Sequence, residues 1–367
     1  MKTARMDVPL LASILLLASA GFLIFLSASL GLLSRDSVQF GSIAFRQIFF
    51  GLIPGLILLF LASRIHFTYW RKMSFWILVS AMVLNIAILI PWLHIGFSHG
   101  GATRWMHIGS FTFQVSEVLK VALVLYFAAW LSSVKERVAT FKEGFLPLLV
   151  LLGIAGVLLH LQPDHDTLVT ITVSLTAMYL VAGGRWRWVA SLVIAGALGL
   201  GALYMTSPYI ASRINTYLNP SENGQSSSYQ IQQSLIAVGS GGLTGRGFGQ
   251  SIQKFNYLPE PVGDSIFAVA AEEFGLIGGM AVVGLFLFFL LRSYVVAARS
   301  SNLFGSLVVI GIATFMIAQA FINIGSMIGI LPIAGIPLPF VSQGGTALLF
   351  ALAQAGILLN VSRYMLK

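Results

Sequence analysis

Ten mostly apolar stretches recur along the chain, at 9–31, 45–63, 74–93, 115–134, 145–161, 167–183, 188–206, 265–291, 304–327 and 345–361. A bilayer core is crossed by about 20 helical residues, and inside it every backbone amide and carbonyl must find its partner within the protein. The sequence therefore predicts an all-α integral membrane protein of ten transmembrane helices, of which 145–161 and 167–183 are short. The first run follows MKTARMD and carries small residues such as Ala18, Ser19 and Ala20 within the span, so it reads as a retained helix and not a cleaved signal.

Composition agrees. Of 367 residues 57% are hydrophobic and 9% charged, with a mean hydropathy of +0.90; soluble domains carry about 25% charged residues. Residues 1–367 thus read as one polytopic domain. A net charge of +9 raises nucleic-acid binding, which fails because the charges sit in short loops between spans. The absence of cysteine excludes disulfides and thiolate metal sites.

The basic residues set the orientation. With the N-terminus in the cytoplasm, fourteen of the 21 Lys and Arg fall inside, among them Lys2 and Arg5, Arg64, Arg71 and Lys72, Lys135 and Arg137, Arg292 and Arg299. Nine of the twelve carboxylates fall outside or in outer helix ends. Both termini are expected in the cytoplasm. The longest outer loop, 207–264 between the seventh and eighth spans, interleaves Leu235, Ile236, Val238, Leu243 and Phe248 with Gly239, Gly241, Gly242, Gly245, Gly247 and Gly249. That pattern predicts short helices and tight turns on the membrane surface; only Ser221–Ser228 reads as mobile.

Charged groups at a span are costly and ask for a reason. Glu117 and Lys120 enter the fourth span on one helix face, as an ion pair between helices or as the polar wall of an outward cavity, with Arg104 and Gln114 just before them. Asp164, His165 and Asp166 lie between two short spans, where Asp164 and Asp166 offer hard oxygen ligands for Mg²⁺ or Mn²⁺; helix capping explains Asp166 equally well. Asp264 precedes Ser265 and an apolar run, either as a cap or as a functional acid, with Glu260 nearby. Glu272 or Glu273 is expected to pair with a basic group deeper in the bundle. Residues 335–345 hold Pro337, Pro339 and the Gly344–Gly345 pair, an irregular backbone tolerated at membrane depth where it lines a cavity. These observations predict an outward polar cavity bounded by four loops, with Asp264 the best-placed acid. They leave enzyme, transporter and scaffold open.

The segments GATRWMHIGSFTFQVSEVLK (101–120), QPD (162–164), 229–278 and NIGSMIGILPIAGIPLPFVSQGG (323–345) together resemble the SEDS family of shape, elongation, division and sporulation proteins, along nearly the whole chain. The wording QSLIAVGSGGLTGRGFGQSIQKFNYLPEPVGDSIFAVAAEE is more similar to the division branch, FtsW, than to the elongation branch, RodA. The resemblance implies a peptidoglycan glycosyltransferase that polymerises lipid II at the outer face of the bacterial cytoplasmic membrane, with Asp264 the catalytic residue and Glu117, Lys120, Asp164 and Ser342 supporting it. Two positions depart from the family: Asp166 stands where glycine is usual, and Val115 where proline often precedes the Ser-Glu pair. The expected chemistry is removal of the acceptor hydroxyl proton by Asp264, with Arg104, Lys120, Arg246 and Lys254 or a divalent cation balancing the departing diphosphate; no organic cofactor is implied. Expected partners are the nascent glycan, a class B penicillin-binding protein that supplies cross-linking, and other divisome or elongasome membrane proteins. A lipid II flippase, an elongation-type polymerase and a division scaffold are the alternatives; acids gathered on the outer side favour an enzyme.

Overall fold

Long apolar runs become long helices in the computed structural model, which describes residues 6–34, 37–99, 102–108, 111–218 and 226–366. Lys2, Arg5 and most of the stretch expected to be mobile lie outside the described residues. In chain order the elements are α1 (Val8–Ser29), α2 (Ser37–Arg46), α3 (Ile53–Arg64), α4 (Phe67–Ala87), β1 (Gly96–His99), β2 (Ala102–Ile108), β3 (Phe111–Gln114), α5 (Val115–Val134), α6 (Leu146–Leu161), α7 (His165–Val181), α8 (Trp186–Thr206), α9 (Pro208–Leu218), α10 (Ser226–Ser240), α11 (Ile266–Ala298), α12 (Leu303–Met327) and α13 (Gly345–Ser362). Among the described residues eight helical stretches are long and apolar enough to cross a membrane. The third and sixth predicted spans correspond to α4, whose first turns carry Arg71 and Lys72, and to α7, which is only 17 residues long.

Two expectations need correction. The chain is not all-α: β1, β2 and β3 form an antiparallel sheet in that order, with Gly96 opposite Met106 and Trp105 opposite Gln114. The helix of the third predicted span, α4, also begins earlier than the hydropathy run and ends before Pro91, which opens a separate short turn.

Packing separates a centre from a periphery. In the apolar stretches of α5 and α13, 72% of the residues are buried, against 6% in that of α8. α3 and α13 approach so closely that a Cβ on Gly356 would lie 2.4 Å from the Leu59 carbonyl oxygen. Small residues at such crossings let helices pack without a water-driven force. At the end of the bundle away from Asp264, Asp7 caps α1 and pairs with Arg292 of α11 at 2.5 Å, while its amide donates to Ser362 at the end of α13. Asn360 donates to the last carbonyls of α3 at Ser63, so the ends of four helices meet there.

α11 is broken. Gly275 takes φ 66° and ψ −165° in the middle of it, a region open only to glycine. The glycine-rich segment 241–249 supplies the partners that the break sets free. Arg246 and Gly247 amides donate to the carbonyls of Glu272 and Glu273 at 3.0 and 2.9 Å, and the Leu276 and Ile277 amides donate to Gly242 and Leu243 at 2.9 and 3.2 Å. Gly242, Gly245, Gly247 and Gly249 all have positive φ, which is what winding so tightly against a helix requires. The expected turns are therefore present, docked into α11.

A Cβ at position 275 would lie 2.3 Å from the Gly245 nitrogen, whereas one at Gly284, in the same helix, meets nothing within 4 Å. Gly275→Ala is expected to cost about 1–3 kcal/mol in backbone strain alone, beyond the clash, and Gly284→Ala to be neutral or stabilising. Thermal unfolding of the two variants in detergent checks the contrast.

Candidate functional site

Asp264 sits one residue ahead of the position that caps α11, which Ser265 occupies, so capping does not account for it. The turn before it is locked locally: the amides of Gly263 and Ser265 both donate to the Glu260 carbonyl at 3.1 Å, with Glu260 at φ 45°. The turn is then stapled to the loop 335–344. Ser342 Oγ donates to the Gly263 carbonyl at 2.8 Å and accepts from the Leu338 amide at 2.8 Å, and the Gln343 amide donates to the Val262 carbonyl at 2.7 Å. From α12, Asn323 Nδ2 donates to the carbonyls of Asp264 and Ile336, each at 2.9 Å. Two irregular loops thus satisfy one another, and the backbone of Asp264 is fixed from both sides.

A cavity of about 460 Å³ opens over this junction. Asp264, Glu260 and Gly263 line one wall, Gly335, Pro337 and Gln343 another, Arg104, Trp105 and Gln114 a third, and Arg46, Gln47 and Phe50 a fourth. The sheet delivers the third wall: Arg104 donates to the carbonyls of Gln162 and Pro163, and Gln114 Nε2 donates to Asp164 at 3.2 Å. The fourth comes from a π-helical turn, Gln47–Leu52, whose Gln47 side chain accepts from the Gly344 amide at 3.1 Å. Burial first, then the carboxylates of Glu260 and Asp166, push the Asp264 carboxyl up to about 7, against the pull of Arg213 and Arg104. A carboxyl poised near neutrality in a polar cavity is suited to take a proton.

The other residues singled out in the sequence scatter. Glu117 and Lys120 form a buried 2.6 Å ion pair in α5; the ammonium also donates to Gln319 at 3.4 Å and lies 4.4 Å from the centre of the Phe315 ring. Glu117 and Ser342 line a separate void of about 20 Å³, room for about one water. Neither Glu117 nor Lys120 borders the large cavity. Lys254 is a correction. It is wholly buried, donating to Glu273 at 2.7 Å and to the Ser27 carbonyl at 3.1 Å, so its charge is spent on holding α1, α11 and the 250–265 segment together. Arg246 is likewise drawn to Glu272, at 3.3 Å. Glu272 and Glu273 thereby have the basic partners expected of one of them; Glu272 also accepts from Ser251 Oγ at 2.5 Å and from the Ile252 amide at 3.0 Å.

Asp164 and Asp166 do not fit a divalent cation. Asp164 is buried and accepts from Gln114, while both oxygens of Asp166 face Arg213 Nη1, at 3.1 and 2.9 Å, and one also accepts from the Gly335 amide at 3.0 Å. A guanidinium occupies the place a metal would need. Among the described residues no three His, Asp or Glu side chains gather as a ligand set. Nor does Asp166 cap its helix; Asp164 stands at that position, without a side-chain capping bond. Sequence reading missed two cations, Arg46 and Arg213. Arg46 had a signal, being a charge at the mouth of an apolar run; Arg213 had none within its amphipathic surroundings.

Comparison with known proteins fits this arrangement. The family model covering FtsW, RodA and SpoVE, described as "Cell cycle protein", matches residues 8–367. "Stage V sporulation protein E" of Bacillus subtilis (strain 168) is 38% identical over 99% of this chain and 98% of its own. "Probable peptidoglycan glycosyltransferase FtsW" of Saccharophagus degradans is 38% identical over 98% of this chain and 92% of its own. A chain from a solved structure described as "Structural coordination of polymerization and crosslinking by a peptidoglycan synthase complex" superposes with a TM-score of 0.82 at 25% identity, covering 98% of this chain and 99% of that one. The rod shape determining protein RodA of Thermus thermophilus shares the fold, with a TM-score of 0.70 at 24% identity over 98% of both chains. The chain belongs to the FtsW/RodA/SpoVE family of cell cycle proteins, the SEDS proteins.

Proposed function

We propose that this chain is a peptidoglycan glycosyltransferase that polymerises lipid II into β-1,4 glycan, with Asp264 as its general base, and that it serves septal wall synthesis. The observation that carries the mechanism is the near-neutral Asp264 held over a cavity that also presents Arg46 and Arg104. Asp264 takes the proton of the acceptor 4-hydroxyl as that oxygen attacks C1 of the donor. The C1–O bond to the diphosphate breaks, the configuration inverts, and the diphosphate leaves carrying the bonding electrons. No covalent enzyme intermediate is needed. Arg46 and Arg104 are the cations placed to balance the leaving group. Glu117, Lys120 and Ser342 act from beneath as supports.

Relatives named as glycosyltransferases support the activity, and the gathering of Asp7, Arg292, Arg299 and Arg363 at the end opposite Asp264 supports a ten-span topology with both termini in the cytoplasm and the cavity facing outward across the inner membrane. The likeness to a chain of a complex that couples polymerisation to cross-linking supports a class B penicillin-binding protein as partner.

Polymerisation of purified lipid II by the protein with its partner tests the reading. Asp264→Asn should lower the rate by about 10²–10⁴-fold, and the parent rate should fall as pH drops below about 7, where Asp264 takes up its proton. Polymerisation by Asp264→Asn at the parent rate would overturn the assignment.

Stability should move the other way. Asp264 ionises at about 7 in the folded chain against 3.8 for the free side chain, so its stabilising contribution is present below 3.8 and lost as pH rises to about 7. Asp264→Asn should therefore raise the melting temperature at pH 8, and this gain should shrink at pH 5. Melting curves at the two pH values check it, and separate lost catalysis from lost folding.

A further inference from the structure

Glu260 borders the same cavity as Asp264 and belongs to the same turn. Its backbone is left-handed at φ 45°, a conformation that glycine or asparagine adopts with less strain. Its carbonyl closes the turn, accepting from the Gly263 and Ser265 amides at 3.1 Å. Any residue supplies that carbonyl, so the turn does not account for the side chain. The carboxylate folds back over Gly263, where an added Cβ would stand 3.3 Å from Glu260 Oε2. Among the described residues no cation and no hydrogen-bond donor meets it. Glu117, Asp164, Asp166, Glu272 and Glu273 are by contrast each taken up by a protein partner. Glu260 is exposed, so water satisfies its oxygens until a ligand takes the place of that water.

We propose that Glu260 is an acceptor-binding residue: its carboxylate accepts a hydrogen bond from a hydroxyl next to the reacting one and so turns the acceptor 4-hydroxyl towards Asp264. Charge decides which substrate it serves. A carboxylate repels a diphosphate, whose place is with Arg46 of α2 and Arg104 of β2. The acceptor sugar presents hydroxyls instead. Each of them donates, and an ionised acceptor makes the stronger bond.

One turn thus presents two carboxylates to neighbouring hydroxyls of one sugar. Asp264 takes the proton of the first, and Glu260 holds the second without taking its proton. The backbone that carries both is fixed: the turn is closed on Glu260 and bound to 335–344 through Val262 and Gly263. A rigid mount of this kind holds an acceptor in one orientation at the base, which is where positioning contributes to rate.

This role of Glu260 rests on the glycosyltransferase reading, and the two are tested apart. Lipid II capped at its 4-hydroxyl only donates, and a short glycan fragment without the diphosphate only accepts. With the purified protein and its partner at pH 8, above the ionisation of Asp264 at about 7, the rate of joining is followed against each in turn. Glu260→Ala should raise the KM for the fragment about 10-fold or more, leave the KM for the capped donor at the parent value and change kcat less. Glu260→Gln keeps an accepting oxygen and should recover part of the loss. An unmoved fragment KM in Glu260→Ala, or a donor KM that rises with it, overturns the proposal. Glu260→Gly relieves the left-handed backbone, so it should melt above Glu260→Ala and still show the raised fragment KM; a parent KM there is equally fatal. Binding of the fragment alone, read by saturation-transfer NMR, needs no turnover and should weaken about 10-fold or more in Glu260→Ala. Equal binding, or none by the parent, overturns the role. Weaker binding in the variant without any joining by the parent would leave Glu260 a glycan-binding residue and remove the glycosyltransferase reading.

Discussion

Everything near the site depends on how a broken transmembrane helix keeps its backbone satisfied. In hydrocarbon an unpaired amide or carbonyl costs several kcal/mol, so α11 could not break at Gly275 unless another segment completed it. Residues 241–249 do so, exchanging four main-chain hydrogen bonds with the open turn. That exchange brings the strap beside the adjacent carboxylates. Glu272 gathers Ser251, Ile252 and Gln253, and Glu273 gathers Lys254 and Ser27. The strap is thus tied to α11 by its backbone and to α1 by hydrogen bonds to Ser27, and it leads directly into the turn that presents Asp264.

Buried ion pairs are poor sources of stability because desolvation offsets their attraction. Their value here is geometric. Lys254, between Glu273 of α11 and Ser27 of α1, and Lys120, paired with Glu117 in its own helix and reaching Gln319 and Phe315 of α12, each fix neighbouring elements in one register, since a shift would strand a charge in an apolar interior. The loop that carries Asp264 needs such fixing. Its own contacts with 335–344 are hydrogen bonds between two segments that lack regular structure, and either one alone would be free to move.

Hydropathy alone gave the membrane class and the place of the helices, because burial in lipid demands the same thing of every span. The sheet was not visible: GFSH, ATRWMHI and FTFQ are too short and too mixed to show alternation, yet once paired they carry Arg104 to the turn at Gln162 and Pro163. Acids were easier to interpret than bases. A carboxylate ahead of a span has few apolar alternatives, and Asp264, which lines the cavity, stood out as a candidate from that position together with its family likeness. A lysine or arginine can point either way, and nothing in the letters around Lys254 says that its ammonium turns inward to Glu273 while Arg46, at the edge of an apolar run, turns to the cavity. Asp166 stood out as a metal ligand or a cap, and its partners, Arg213 and the Gly335 amide, come from segments far away in the chain.

The acids divide by what faces them. Asp7, Glu272 and Glu273 each meet a cation and a set of hydrogen-bond donors, and they tie helix ends and the 241–254 segment into the fold. Asp264 meets other carboxylates across a cavity wall, while its nearest cations are engaged elsewhere: Arg213 with Asp166 and Arg104 with the carbonyls of the 162–163 turn. Burial first, and then the carboxylates of Glu260 and Asp166, keep its affinity for a proton against the pull of Arg213 and Arg104, and a backbone fixed from both sides keeps it in place. The surrounding acids are thus tied into the fold, while Asp264 is left facing the cavity.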